Sequence, residues 1–175
     1  MPELDPTTKE KIADLREISQ NWTSPIEIYE LLKIDWQSGA IYYACTQTDN
    51  ASSVELPEEV SPVECRIIPT SSPAHFFEIN SNSSLSDEEI NLEIWDGGFF
   101  NPETGEFEGA GEFADLVFEN GEGVTAEVYF WFPQVELLLS IWQGHLRTDE
   151  DSDAQNWRGT IANGFRSSDL PLPRR

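Results

Sequence analysis

Two histidines, two cysteines and a short run of alternating aspartates have the side-chain types that site chemistry needs, but their spacing withholds most of it. His75 and His145 are the groups whose ordinary titration lies near neutrality. Neither stands at a metal-ligand spacing such as His-x-x-x-His, and Cys45 and Cys65 form no Cys-x-x-Cys pair. His145 follows Gly144 and reads as a rim residue at a strand end. Asp149, Asp151 and Asp153 alternate as they would at the opening of a calcium loop. The sixth position of that loop is Ala154 instead of Gly, and the twelfth is Thr160 instead of Glu. The sharp turn and the bidentate ligand are both missing, so a solvated hairpin tip is favoured over a calcium site. With 33 acidic residues, carboxylates fall close together by chance, and such pairs do not identify a glycosidase. The sequence has no Gly-x-Ser-x-Gly elbow, phosphate-binding loop or dinucleotide fingerprint. The expectation is a chain with no enzymatic site, no metal and no cofactor.

The elements that would hold a site are more legible. Val124, Ala126, Val128, Phe130 and Phe132 share one face of an extended strand, because side chains alternate with a period of two. Val135, Leu137, Leu139 and Ile141 share a face of a second run, and Pro133 and Gln134 separate the runs. The runs are expected to be antiparallel neighbours, or one strand broken by a bulge. The opposite faces carry Tyr129, Trp131, Leu138 and Trp142, which are too apolar for a solvated surface. Strict alternation makes Trp131, Leu138 and Trp142 the candidate interface with another layer or another subunit.

Asp5-Pro6 predicts a helix over 6–19, with an acceptor at the N-cap and Ile12, Leu15 and Ile18 as its apolar stripe. A strand over 25–36 and a returning strand through Ile41, Tyr43 and Cys45 flank the hairpin signal Ser38-Gly39. Thr46 to Ser61 reads as a loop. Short strands are expected at Val63 to Ile68, at His75 to Ile79 and at Ile90 to Ile94, the last ending in a turn at Asp96-Gly97-Gly98. Gly-Glu-Phe occurs at 105–107 and again at 111–113, within what reads as a mobile acidic hairpin tip. Leu116 and Phe118 lead to a turn at Asn120 to Gly123. Gly144 to Asp153 is expected to be a loop, and Trp157 to Ala162 a last strand. Many strands, frequent turns and one helix predict a mainly β sandwich or barrel with one N-terminal α-helix. It would form a single domain over 1–170, followed by an extended Pro/Arg tail at 171–175.

The net charge is −23, and no Lys or Arg occurs from Ile67 to Leu146 although acids recur throughout. Such a surface repels nucleic acid and anionic membranes. Solubility or a salty medium would account for it. Sharper readings are imitation of DNA, docking of a basic partner, or lining of a passage through which DNA slides without adhering. No stretch approaches the roughly 18 apolar residues of a membrane span. Met1 to Asp5 lacks both the basic and the apolar region of a secretory signal. Trp22, Trp36 or Trp95 would suit sugar stacking, but Trp in strands packs in cores more often.

A longer pattern in the C-terminal half carries a resemblance. Leu138-Leu139-Ser140-Ile141-Trp142-Gln143-Gly144-His145-Leu146 runs into an acidic loop, followed by Trp157-Arg158-Gly159-Thr160-Ile161-Ala162 and Leu170-Pro171-Leu172-Pro173-Arg174-Arg175. This resembles the hub proteins at the tail tip of long-tailed bacteriophages, the group of minor tail protein L and its relatives. Leu32-Lys33-Ile34-Asp35-Trp36, a turn and Ile41-Tyr42-Tyr43 resemble that family's opening hairpin. The resemblance implies a structural subunit of the virion tail tip, made in the host cytoplasm. Such subunits form a ring with copies of themselves (commonly a trimer), contact neighbouring tail proteins and border a DNA channel. It further implies contacts through the basic arm at Arg174 and Arg175 as well as through the aromatic face. Many relatives continue into a Cys-bearing part associated with an iron–sulfur cluster. Cys45 and Cys65 match no cluster spacing, so that cofactor is not expected here. The competing expectations are an acidic DNA-mimic inhibitor of a host nucleic-acid enzyme and a carbohydrate-binding β-sandwich.

Overall fold

A computed structural model describes residues 5–21, 25–46, 56–69, 89–121, 123–148, 152–153 and 155–162. Its strands are β1 (Tyr29–Trp36), β2 (Gly39–Cys45), β3 (Val63–Ile67), β4 (Glu89–Trp95), β5 (Gly97–Asn101), β6 (Glu106–Ala110), β7 (Thr125–Phe132), β8 (Leu137–Thr148) and β9 (Asn156–Ala162). Helix α1 spans Pro6–Asn21 and α2 spans Glu112–Asn120. Seven strands close a barrel in the order β1-β2-β3-β4-β9-β8-β7, while β5 and β6 form a separate hairpin. The fold is mainly β, as expected, and the ring closes through its narrowest seam between β3 and β4, where Ile67 lies opposite Ile94.

Alternation explains the barrel interior. Leu32, Ile34 and Trp36 of β1, Tyr43 and Cys45 of β2, Ile90, Leu92 and Ile94 of β4, Ala126 and Val128 of β7, and Trp157 and Ile161 of β9 form one buried cluster. The β1–β2 hairpin pairs Trp36 with Gly39, and β2 then runs parallel to β3, with Tyr42 opposite Val63. β8 pairs with β7 from Leu137 to His145 and with β9 from His145 to Thr148. Gly144 to Thr148, expected as loop, is therefore strand. Gly144 permits the close approach, since a Cβ there would sit 2.6 Å from the Ala162 carbonyl oxygen.

The two runs at 124–142 are antiparallel neighbours, joined by a 3-10 turn at Pro133–Val135, and they also carry a bulge. Val128 lies opposite Trp142 but Tyr129 lies opposite Ser140, so Ile141 is an extra residue. That insertion inverts the alternation beyond it. Trp142 shares a side with Val128 and packs against the inner cluster, which corrects its placement on the second face.

Two further expectations change. Gly97-Gly98 is not a turn but the start of β5, and Glu112–Asn120 is a helix where the end of the hairpin tip and a lead into the turn at Asn120 to Gly123 were expected. α2 lies across one end of the barrel. Its first turn is held at the end of β4, its last residue accepts a hydrogen bond from Gln37 N in the β1–β2 turn (2.7 Å to Asn120 Oδ1), and Phe113 points into the core. α1 begins as anticipated, with Asp5 accepting from Thr8 N at 3.0 Å. It sits at the other end of the barrel, where Lys11 Nζ donates to the Glu136 carbonyl at 2.7 Å. The expected strand at His75 to Ile79 and the tail at 171–175 lie outside the described residues.

Candidate functional site

The aromatic face nominated by alternation is largely closed by the chain itself. Trp131 is 5% exposed and packs in a second cluster with Leu31, Tyr42, Ala44 and Val60. Leu138 and Leu56 are partly buried against that cluster. The segment around Leu56 and Val60, expected as plain loop, covers the outer side of β1, β2 and β7. Trp131 is thus not free to meet another subunit, and Leu138 is only half-buried beside it. In a largely polar segment, Leu56 and Val60 are the two apolar residues that seal this side of the sheet, too few to mark it as a layer by pattern. Arg174 and Arg175 lie outside the described residues.

The side chains considered for chemistry have structural partners. Asp153 Oδ1 accepts from Gln155 N and Asn156 N, both at 2.9 Å, which shapes the turn into β9 and holds its carboxyl below the usual range. Asp149 and Asp151 lie outside the described residues, as does His75. No group of three or more His, Cys, Asp or Glu among the described residues is placed to hold a metal ion. His145 stands within β8 with Nδ1 3.0 Å from the Gly123 carbonyl oxygen. Cys45 belongs to the inner cluster and Cys65 packs against the outer one, so the two thiols face different environments.

The most elaborated polar site is one the sequence did not announce, at the base of the β5–β6 hairpin. Arg66 is buried in β3. Its guanidinium donates to Glu112 Oε2 (2.7 Å), to Glu64 Oε2, to the Gly109 carbonyl (3.2 Å) and, weakly, to Asp96 Oδ1 (3.5 Å). Asp96 in turn accepts from Phe113 N and Ala114 N, both at 3.0 Å. Asp96 therefore caps α2 from another element, where an anion meets the positive end of the helix. Gly111 N donates back to the Asp96 carbonyl at 2.9 Å. One buried cation thus ties β3, β4, the hairpin and α2 together. The available signal was a single Arg in the apolar strand Val63-Glu64-Cys65-Arg66-Ile67, at the last position before the base-free stretch.

From this anchor the hairpin projects. Its tip is shaped by Asn101, whose side chain accepts from Glu103 N (2.9 Å) and donates to Glu108 Oε1 (3.0 Å), and by Thr104, which donates to the same oxygen. It is the acidic hairpin expected, with a hydrogen-bonded turn at its tip. Phe99 lies under the Arg66 guanidinium, 5.1 Å from ring centroid to carbon. Phe100 and Phe107 pair across the strands edge to face, centroids 5.6 Å apart, and remain 58% and 68% exposed. Phe118 on α2 is 88% exposed. No family model matches the chain, and no curated protein matches it. Among the described residues no helix is long and apolar enough to cross a membrane.

Proposed function

We propose that the chain is a structural subunit of a phage tail tip or baseplate. It acts as a hub or adaptor that joins the tail tube to distal tip proteins and lines a DNA passage, with no reaction of its own. The observation that carries this reading is a closed barrel filled by its own side chains and capped by α2, from which an anchored hairpin presents exposed phenylalanines. Such a body offers partners its outside and its projections. The pattern from Leu138 to Ala162 that resembles tail-tip hubs occupies β8 and β9, the strands that complete the closure. The stretch from Ile67 to Leu146, devoid of Lys and Arg, supports a wall that does not hold a polyanion, because each adhesive contact needs a cation. A ring of copies, with a trimer as the expected order, would surround that passage.

Exposed Phe100 and Phe107 weigh against the DNA-mimic alternative, since a phosphate-like surface has no use for an aromatic pair. The reading is tested by raising antibodies to the purified chain and labelling purified particles for electron microscopy. Label at the distal end of the tail, together with tube proteins in the same particles by mass spectrometry, is the expected result. Particles that contain no copy of the chain would sink the proposal.

A further inference from the structure

The hairpin has two unlike faces. In β5 and β6, alternation places Phe100 and Phe107 on one side, with Gly98 and Gly109 as their neighbours along the strands. Phe99, Glu106 and Glu108 take the other side, which turns toward Arg66 at the base. Glu108 is engaged by Asn101 and Thr104, while Glu103 and Glu106 are exposed at the tip. The aromatic pair stays exposed on a strand pair held by backbone pairing, an ordered turn and the Arg66–Asp96–Glu112 anchor. A hydrogen-bonded ribbon with an aromatic pair on one side, Glu106 on the other and Glu103 in its turn loses little conformational entropy on docking.

We propose that the hairpin is a docking arm for a different protein, one that offers a cleft with an apolar wall for Phe100 and Phe107 and a Lys/Arg-lined wall for Glu103 and Glu106. The charge selects this occupant. The described cations of the barrel are engaged with the chain's own acids: Lys33 with Asp35 (2.9 Å), Arg147 with Glu89 (3.9 Å), Arg158 with Glu93 (2.8 Å), and Arg66 within its cluster. A second copy would bring that barrel wall, an α1 whose Lys9, Lys11 and Arg16 are matched by Asp5, Glu10, Asp14 and Glu17, and a further net charge of −23. An anionic lipid surface repels the acids of the ribbon equally. A cationic protein cleft satisfies both faces. The inference goes beyond the tail-tip reading and stands in whatever assembly the chain occupies.

The test places the photoreactive residue p-benzoylphenylalanine at Phe107, at Phe100 and, as a control on the barrel wall, at Gln143, in the full-length chain inside the cells that make it. The expected result is one cross-linked polypeptide, different from this chain, captured at positions 107 and 100 and not at 143. Lys or Arg should flank its modified peptide. Reversing the charges of the turn and of the back strand with Glu103→Lys and Glu106→Lys should lower the yield at position 107 by about tenfold, the effect of removing two favourable charge contacts at a partly desolvated site. Cross-links to a second copy, cross-links to lipid, equal capture at Gln143, no capture, or an unchanged yield after charge reversal would each overturn the proposal. Circular dichroism of each variant confirms that the chain is folded, and the Phe107→Ala chain serves as the folded reference.

Discussion

The tripeptide Gly-Glu-Phe occurs twice, and its two phenylalanines have opposite fates. Phe107 is 68% exposed at the start of β6, whereas Phe113 is 1% exposed under α2. Phe113 meets Trp36, Tyr43 and Trp157 at ring-centroid distances of 5.6, 5.3 and 5.0 Å. Phe113→Ala should lower stability by about 3–5 kcal/mol, the usual result of emptying an aromatic site in a core. Phe107→Ala should change it by less than about 0.5 kcal/mol. Urea unfolding of the two variants reads this contrast directly, and equal losses would place both rings in the core. Cys45 gives a second residue-level prediction. Burial, with help from Glu30 and then Cys65, pushes its thiol from an ordinary 9.0 up to about 12. Above 9.0 the unfolded chain releases a proton that the folded chain keeps, so stability falls as pH rises from 9.0 toward 12. Tyr43, raised by burial above its ordinary 10.0, adds to the fall at the upper end. Urea midpoints across that window should decline for the native chain and less steeply for Cys45→Val. A parallel decline in both would remove Cys45 as a cause.

At the level of elements, Arg66 joins the hairpin to the barrel through the Gly109 carbonyl and the ring of Phe99, and gathers the carboxylates of Glu64, Asp96 and Glu112 around that junction. Arg66→Leu leaves Asp96 buried beside Glu64 and Glu112 without its cation. The expected loss is about 3–5 kcal/mol, because breaking a buried ion pair strands a charge. Hydrogen exchange should show the amides of β5, β6 and the first turn of α2 opening first. Uniform protection across these segments in Arg66→Leu would contradict the anchoring role. The strands that close the barrel were legible where alternation was regular, as in β1, β2, the first half of β7, β4 and β9. It failed where one residue broke the period: Ile141, inserted by the bulge, carried Trp142 inward. α2 was not legible because its nine residues, bounded by glycines, span too few turns for a helical stripe to show. The candidate site was missed for a related reason. Arg66, Asp96 and Glu112 are far apart in the chain and meet only because β3 and β4 adjoin and α2 returns over them. The exposed pair at Phe100 and Phe107 was visible as residues but not as a surface, since their facing arises from the pairing of β5 with β6.

The whole molecule is an acidic body, polarised along the barrel axis, with α1 at one end and α2 with the β5–β6 hairpin at the other. A net charge of −23 works against compactness through self-repulsion, which salt screens. The thermal midpoint of the purified chain should therefore rise as sodium chloride increases from about 0.01 M to about 1 M, while the Debye length shortens from about 30 Å to about 3 Å. A midpoint that falls over this range would mean that attractive pairs such as Arg158–Glu93 outweigh the repulsion. The most direct examination of the role proposed for this body is a map of the intact tail tip at side-chain resolution. It should show the barrel beside the distal end of the tube, acidic wall toward the channel, with Phe100 and Phe107 buried in a cleft of a neighbouring protein. A map in which the hairpin of every copy faces open solvent, or in which no copy of the barrel is present, would contradict it.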